Sequence, residues 1–390
     1  MFYSTVKVLL RAGLSLYFRR IRFTVPEALN SKGPLLLASN HPNSFMDAII
    51  IGSHFKRPVH FLARGDVFRK PLARWFLRRL QMIPIYRLSE GREYLTLNDA
   101  TFRLCGNILE QGGVILIFAE GLCVHEWSLR PLRKGAAKIA LSGWANPLIA
   151  GKLRVFPVSI NYSDFNRIGK QVIISFGTPV IKVDIPEKQA EGQQQIAFNQ
   201  ILSSRIADGL LISEQDNDLL PFLINNASTK RATLYHLPGE LRQQKATISH
   251  QHLQAAVQKL TKDKMLPRNF SALLLNCFAA VFLFPAAIIG WFCHAPLYWP
   301  MRRFVFRKTE GTVFYDSVLF GILVLSYPLY WAIINLTALL LLPPMACFAL
   351  LLLPLWAKIY LLHGASIQCV VNYFRLSAAQ RRALNTALRS

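Results

Sequence analysis

The segment best suited to chemistry is Asn40-His41-Pro42-Asn43-Ser44-Phe45-Met46-Asp47. It follows an apolar run (residues 34 to 40, PLLLASN) and opens a stretch patterned as a helix. A carboxylate placed there can hold one imidazole nitrogen and fix the tautomer. It can also stabilise the imidazolium formed when the other nitrogen takes a proton. Such a pair serves to remove a proton from a weak nucleophile such as an alcohol. On spacing alone, a hydrogen bond at a helix start is the commoner explanation of a His–Asp pair.

Three further segments add weight. Ile83-Pro84-Ile85-Tyr86-Arg87 puts an arginine after a short extended run. Phe118-Ala119-Glu120-Gly121 puts a carboxylate and a glycine at the end of the strongest strand pattern. Val155-Phe156-Pro157-Val158-Ser159-Ile160 is a strand pattern interrupted by proline, where a ladder hydrogen bond must be missing. The first three blocks close apolar segments, which is where open α/β sheets place ligands.

In this order the four blocks resemble the glycerolipid acyltransferase family, which contains bacterial 1-acylglycerol-3-phosphate acyltransferase. The resemblance covers about residues 30 to 180 and includes the stretch 61 to 70 (FLARGDVFRK) before the second block. Each block is common by itself, and four in order are specific. The resemblance implies that His41 is the general base and Asp47 its orienting partner. Arg87 would bind the acceptor's phosphate with its planar fork. Glu120 and Gly121 would shape the acceptor site, with Glu120 receiving glycerol hydroxyls or holding a nearby cation. Pro157 would lie on the acyl-donor side, and the domain would hold a hydrophobic tunnel for the acyl chain.

The expected reaction is direct. A glycerol hydroxyl of 1-acylglycerol-3-phosphate attacks the thioester of acyl-CoA or acyl-carrier protein, with no acyl-enzyme, metal or other cofactor. Glycerol-3-phosphate and lyso-lipids built on amino acids are alternative acceptors, and a non-enzymatic lipid-binding protein on the same fold is an alternative function. Two departures stand out. Five residues separate His41 from Asp47, where most members have four, so Pro42-Asn43-Ser44 must bulge for the pair to meet. The third block lacks the family's arginine and reads Glu120-Gly121-Leu122-Cys123. A second phosphate contact then has to come from Arg130, Arg133, Lys134 or Lys138. Arg133 and Lys134 are preferred because they open the next helix, whose free amides also favour anions. His125 and Glu126 read as a surface pair, and His54 and His60 as structural.

The elements that must position these residues alternate. Apolar strand patterns fit 34–40, 58–63, 82–87, 114–118, 153–160 and 172–176, and helical patterns fit 45–54, 70–80, 89–110 and 134–145. That alternation predicts an α/β domain with a mixed, mostly buried sheet over residues 26–185. Residues 1–25 predict an interfacial membrane helix. Residues 186–267 predict a helical extension with helices near 188–213 and 246–262. Residues 268–365 predict membrane-embedded helices, and 366–390 a basic tail.

The net charge of +24 fits nucleic acid or an anionic lipid surface. The apolar tail and the absence of nucleic-acid-binding motifs favour anionic lipid on the cytoplasmic face of a membrane, with no nucleic-acid partner. The six cysteines repeat no paired spacing, which argues against a metal site or a disulfide framework. The apolar stretches are 270–293, 314–339 and 341–362. Basic clusters at 262–268, 302–308 and 375–389 all favour the same side. Hence 270–293 is expected to enter and return, bending near Pro285, and the other two to form a tight pair turning at Pro343-Pro344. A three-pass arrangement is the alternative. Lys358 is expected to snorkel.

Overall fold

The computed structural model describes residues 2–86, 91–186, 189–210, 270–341, 343 and 350–375. Arg87, the 246–262 helix, the Pro343-Pro344 turn as a whole and the tail beyond 375 fall outside the described residues.

The elements run α1 (Phe2–Tyr17), β1 (Arg20–Phe23), β2 (Leu35–Ser39), α2 (Ser44–His54), β3 (Val59–Arg64), α3 (Pro71–Arg79), β4 (Met82–Ile85), α4 (Asn98–Glu110) and β5 (Val114–Phe118). They continue with α5 (Lys134–Ala145), β6 (Arg154–Tyr162), β7 (Gln171–Phe176) and α6 (Glu191–Ala207). After residue 269 come α7 (Phe270–Phe282), α8 (Phe284–Thr309), α9 (Tyr315–Leu341) and α10 (Leu353–Arg375).

Seven strands form one sheet in the order β1-β7-β6-β2-β5-β3-β4. Every neighbouring pair is parallel except β6–β7. The sheet is therefore mixed, as the alternation of patterns predicts. Strand β2 lies at its centre with all five residues buried. Its run of apolar residues reflects cover on both faces. Leu35 and Leu37 pack with Leu14, Phe18, Met46 and Ile50 of α1 to α2. Leu36 and Ala38 pack with Cys105, Leu109, Ala137 and Phe198 of α4 to α6. The period of two sorts one strand's side chains into two cores.

The N-terminal segment departs from the single helix expected over residues 1–25. Helix α1 stops at Tyr17, and Arg20–Phe23 joins the sheet edge beside β7. Arg20 and Arg22 alternate with Ile21 and Phe23, a strand period too short to stand out beside a helix. Leu14, Tyr17 and Phe18 are buried, while Val8 and Leu9 are exposed. Gly13 lets α1 approach α9: a Cβ there would lie 2.4 Å from Val324 Cγ2.

In the C-terminal region α7 and α8 meet at a 55° bend, with Pro285 in the first turn of α8. The bend lies where the sequence places it. Helix α8 is longer than expected and carries Arg302, Arg303, Arg307 and Lys308 on its last turns. Among the described residues α9 is the one helix long and apolar enough by itself to cross a membrane, and the bent α7–α8 pair passes the same test. Among the described residues, α9 and α10 do not form the tight pair expected. Helix α10 packs mainly on α8 and α7, and α9 on α8 and α1. Gly290 permits this arrangement, since a Cβ there would meet the Trp356 carbonyl at 2.5 Å. Lys358 also departs from expectation. Instead of snorkelling, its Nζ donates to the carbonyls of Ser15 (2.7 Å) and Phe18 (3.1 Å), capping the end of α1.

One buried charge cluster joins these layers. Asp316, at the start of α9, pairs with Lys170 just before β7, and both side chains are fully buried. The Tyr17 hydroxyl donates to Asp316 Oδ1 at 2.7 Å. Lys170 Nζ also donates to the Phe165 carbonyl at 2.8 Å. Removing one partner of a buried pair strands the other charge, at a cost of about 3–5 kcal/mol. We predict that Asp316→Ala lowers the thermal midpoint sharply, and that the double substitution Asp316→Leu with Lys170→Met recovers most of the loss. Thermal unfolding of the purified full chain reads this out, and an unchanged midpoint in Asp316→Ala contradicts it.

Candidate active site

His41 lies two residues beyond β2, at the carboxyl edge of the sheet beside the end of β5. Asn40 fixes that exit. Its Nδ2 donates to the Ile160 carbonyl (3.1 Å) and its Oδ1 accepts from the Ile160 amide (2.8 Å), so its side chain extends the ladder to β6. The imidazole of His41 lies flat on Phe118, with ring centroids 3.7 Å apart and planes 9° apart.

His41 Nδ1 and Asp47 Oδ2 are 2.9 Å apart. The additional residue in the loop is absorbed at Ser44, whose φ of 50° lies in the left-handed region. A non-glycine residue seldom adopts that conformation without a compensating contact. Here the Ser44 amide reaches Cys123 Sγ at 2.9 Å, which gives Cys123 a structural place beside the loop. The bulge that the spacing requires is therefore present, and it brings the pair together.

Asp47 is fully buried. Its Oδ2 also accepts from the Asn43 amide at 2.8 Å, and its Oδ1 from the Tyr162 hydroxyl at 2.8 Å. These donors hold the carboxylate in one orientation, and a carboxylate so held is an effective partner for an imidazolium. Burial, with the neighbouring Asp47 carboxylate, pushes the Tyr162 hydroxyl well above the ordinary tyrosine range, so it stays a donor. The His41 side chain retains 14% exposure. The arrangement leaves Nε2 as the nitrogen for a proton from outside.

The other expected residues are placed as follows. Glu120 is buried, and both its oxygens are used: Oε2 accepts from the His41 amide (3.0 Å) and Oε1 from the Arg130 amide (3.0 Å). Burial raises its pKa, and those two amides oppose the rise. Glu120 thus acts on the site through the backbone of His41. Gly121 has φ 72°, and a Cβ there would lie 2.9 Å from Arg133 Cγ, so a side chain is excluded twice over. The Arg133 amide donates to the Ala119 carbonyl at 2.7 Å, which brings the start of α5, with the exposed Arg133 and Lys134, against the end of β5. Pro157 is buried within β6, level with Ala38 of β2, and β6 continues through it. Arg87 lies outside the described residues, and Tyr86 before it is held by Asn98 through two bonds of 2.9 Å.

His125 stacks on Phe165 with centroids 4.9 Å apart, and burial lowers its pKa. It belongs to the packed surroundings of the site rather than to a surface pair. Among the described residues no group of three or more His, Cys, Asp or Glu side chains is placed to hold a metal ion.

The sequence reading did not anticipate Tyr162, Asn43 or Asp316. Asn43 Nδ2 donates to Asp316 Oδ2 at 2.8 Å, and the Met46 amide donates to Ser317 Oγ at 3.1 Å. The start of α9 is thus bonded to the loop that carries the His–Asp pair. One signal was available: an acidic residue at the start of an apolar span calls for a partner.

A family model described as Acyltransferase matches residues 20–161. No curated protein matches the chain. Among solved structures, the crystal structure of the 1-acyl-sn-glycerophosphate (LPA) acyltransferase, PlsC, from Thermotoga maritima is 17% identical, with a TM-score of 0.38. The match covers 52% of this chain and 78% of that one, and the likeness is slight. Residues 20–161, which include His41, Asp47 and Glu120, thus form a domain of the acyltransferase family.

Proposed function

We propose that this chain transfers a fatty acyl group from acyl-CoA or acyl-carrier protein to the free hydroxyl of 1-acylglycerol-3-phosphate, at a membrane surface. The contact between His41 and Asp47 carries the reading, because it survives an altered spacing through a strained residue. In this mechanism Asp47 holds the Nδ1 proton and His41 Nε2 takes the proton of the acceptor hydroxyl. The alkoxide oxygen attacks the thioester carbonyl, and the thiolate leaves with the proton returned from His41. Arg87, with Arg133 and Lys134 at the start of α5, holds the acceptor's phosphate. Pro157 lies toward the acyl donor, and Glu120 and Gly121 keep the loop shape that presents His41.

Glycerol-3-phosphate is the second reading of the acceptor, favoured by the five-residue spacing between His41 and Asp47. Membranes containing the protein, offered a labelled acyl thioester with either acceptor, separate the two. A general base contributes roughly 10²–10⁴-fold, so His41→Ala is expected to lower kcat by that factor while leaving the fold intact. Asp47→Asn should lower kcat in the same direction by disturbing the tautomer. Retention of full transfer by His41→Ala would refute the assignment of the base. Arg87→Ala is expected to raise KM for the phosphate-bearing acceptor by roughly 10–100-fold, the worth of a charged hydrogen-bonding contact, with little change in KM for the acyl donor. Equal effects on both substrates would place Arg87 elsewhere.

A further inference from the structure

A cavity of about 1040 Å³ lies outside the residues that match the acyltransferase family, apart from part of its wall. It is bordered by α1, the loop 163–168, α8, α9 and α10. Neither His41 nor Asp47 borders it. Its volume is at the upper end of the roughly 300–1,000 Å³ typical of small-molecule sites.

The cavity has two chemically different ends. One end is hydrocarbon-like, with Trp291, Leu323, Pro328 and Trp331 in the wall. His294 is also there, but its polar atoms are turned to the protein: Nδ1 bonds the Gly290 carbonyl (2.6 Å) and Nε2 the Tyr327 hydroxyl (3.0 Å). The other end is cationic. Arg302 and Arg167 line it, both exposed, and both lie within electrostatic reach of Tyr298. Arg302 also lies over the Trp299 ring, 5.5 Å from its centroid. Asp164 is the acid in the wall, and its Oδ1 already accepts from the amides of Asn166 (2.7 Å) and Arg167 (3.0 Å). Tyr298, Trp299 and Arg302 within about one helical turn form the combination that settles at the headgroup level of a bilayer.

From this gradient we propose that the cavity is a binding site for an anionic phospholipid of the surrounding bilayer, distinct from the transfer site. The acyl chains occupy the apolar end, and Arg167 and Arg302 hold the phosphate. A zwitterionic lipid of the same chains fits the apolar end equally but gains less at the cationic end, because its cationic group offsets the attraction.

The test uses the purified full chain in detergent, titrated with phosphatidylglycerol or phosphatidylcholine of identical chains, with bound lipid counted by native mass spectrometry. One phosphatidylglycerol is expected to bind, about tenfold more tightly than phosphatidylcholine. Arg167→Gln with Arg302→Gln should bring the two lipids near parity. Ala357→Phe, which fills the wall, should lower occupancy by both. A wild-type chain with no preference for the anionic lipid, or with occupancy unaffected by Ala357→Phe, overturns the proposal. Equal displacement of phosphatidylglycerol by 1-acylglycerol-3-phosphate and by its own kind would make the cavity part of the substrate path, and would overturn it too. None of these outcomes bears on His41, so the assignment of the base stands or falls separately.

Discussion

A fully buried carboxylate must find partners for every lone pair it brings inside. Asp316 does so by drawing on three distant parts of the chain. Tyr17 comes from the first helix, Lys170 from the turn before β7, and Asn43 from the loop after β2. Each contact constrains a different element, and together they leave α9 one place to start. The geometry of the His–Asp pair depends on this node through Asn43, whose amide is also a ligand of Asp47. The apolar helices are therefore more than an appendage to the α/β domain. They supply a side chain to the packing behind the loop that carries His41 and Asp47.

The loop shows how a longer spacing is reconciled with a close His–Asp contact. Five residues separate His41 from Asp47, and the backbone takes up the surplus in one left-handed serine. Rigid neighbours then hold the result. Phe118 supports the imidazole ring, Glu120 grips the His41 amide, and Tyr162 fixes the far oxygen of Asp47. These supports rise from β5 and β6, the two strands that flank β2. Precision at the site is thus a property of the middle of the sheet, where the backbone is most constrained.

Much of the α/β domain was legible because its strands are short, apolar and punctuated. Val114–Phe118 and Lys134–Ala145 fall where the pattern puts them. His41, Asp47 and the bulge between them were legible too, since local spacing dictates them. What stayed hidden depends on contacts between remote segments. Arg20–Phe23 is four residues of alternation, and pairing with β7 makes it a strand. Glu120 reads as a substrate ligand until two backbone amides are found on it. Lys358 reads as a cation reaching for water until the bare carbonyls of α1 are seen beside it. The pairing of the last helices was misjudged because hydropathy reports length, while small residues such as Gly290 decide which helices meet.

The capping of α1 by Lys358 has a consequence for biogenesis. Helix α1 ends in carbonyls whose partner lies 343 residues further along the chain. Its Tyr17 waits for a carboxylate 299 residues away. Contacts of such sequence separation form late and slowly. The end of α1 must therefore remain unsealed until α9 and α10 have been made, and its docking is tied to their arrival rather than to completion of the sheet.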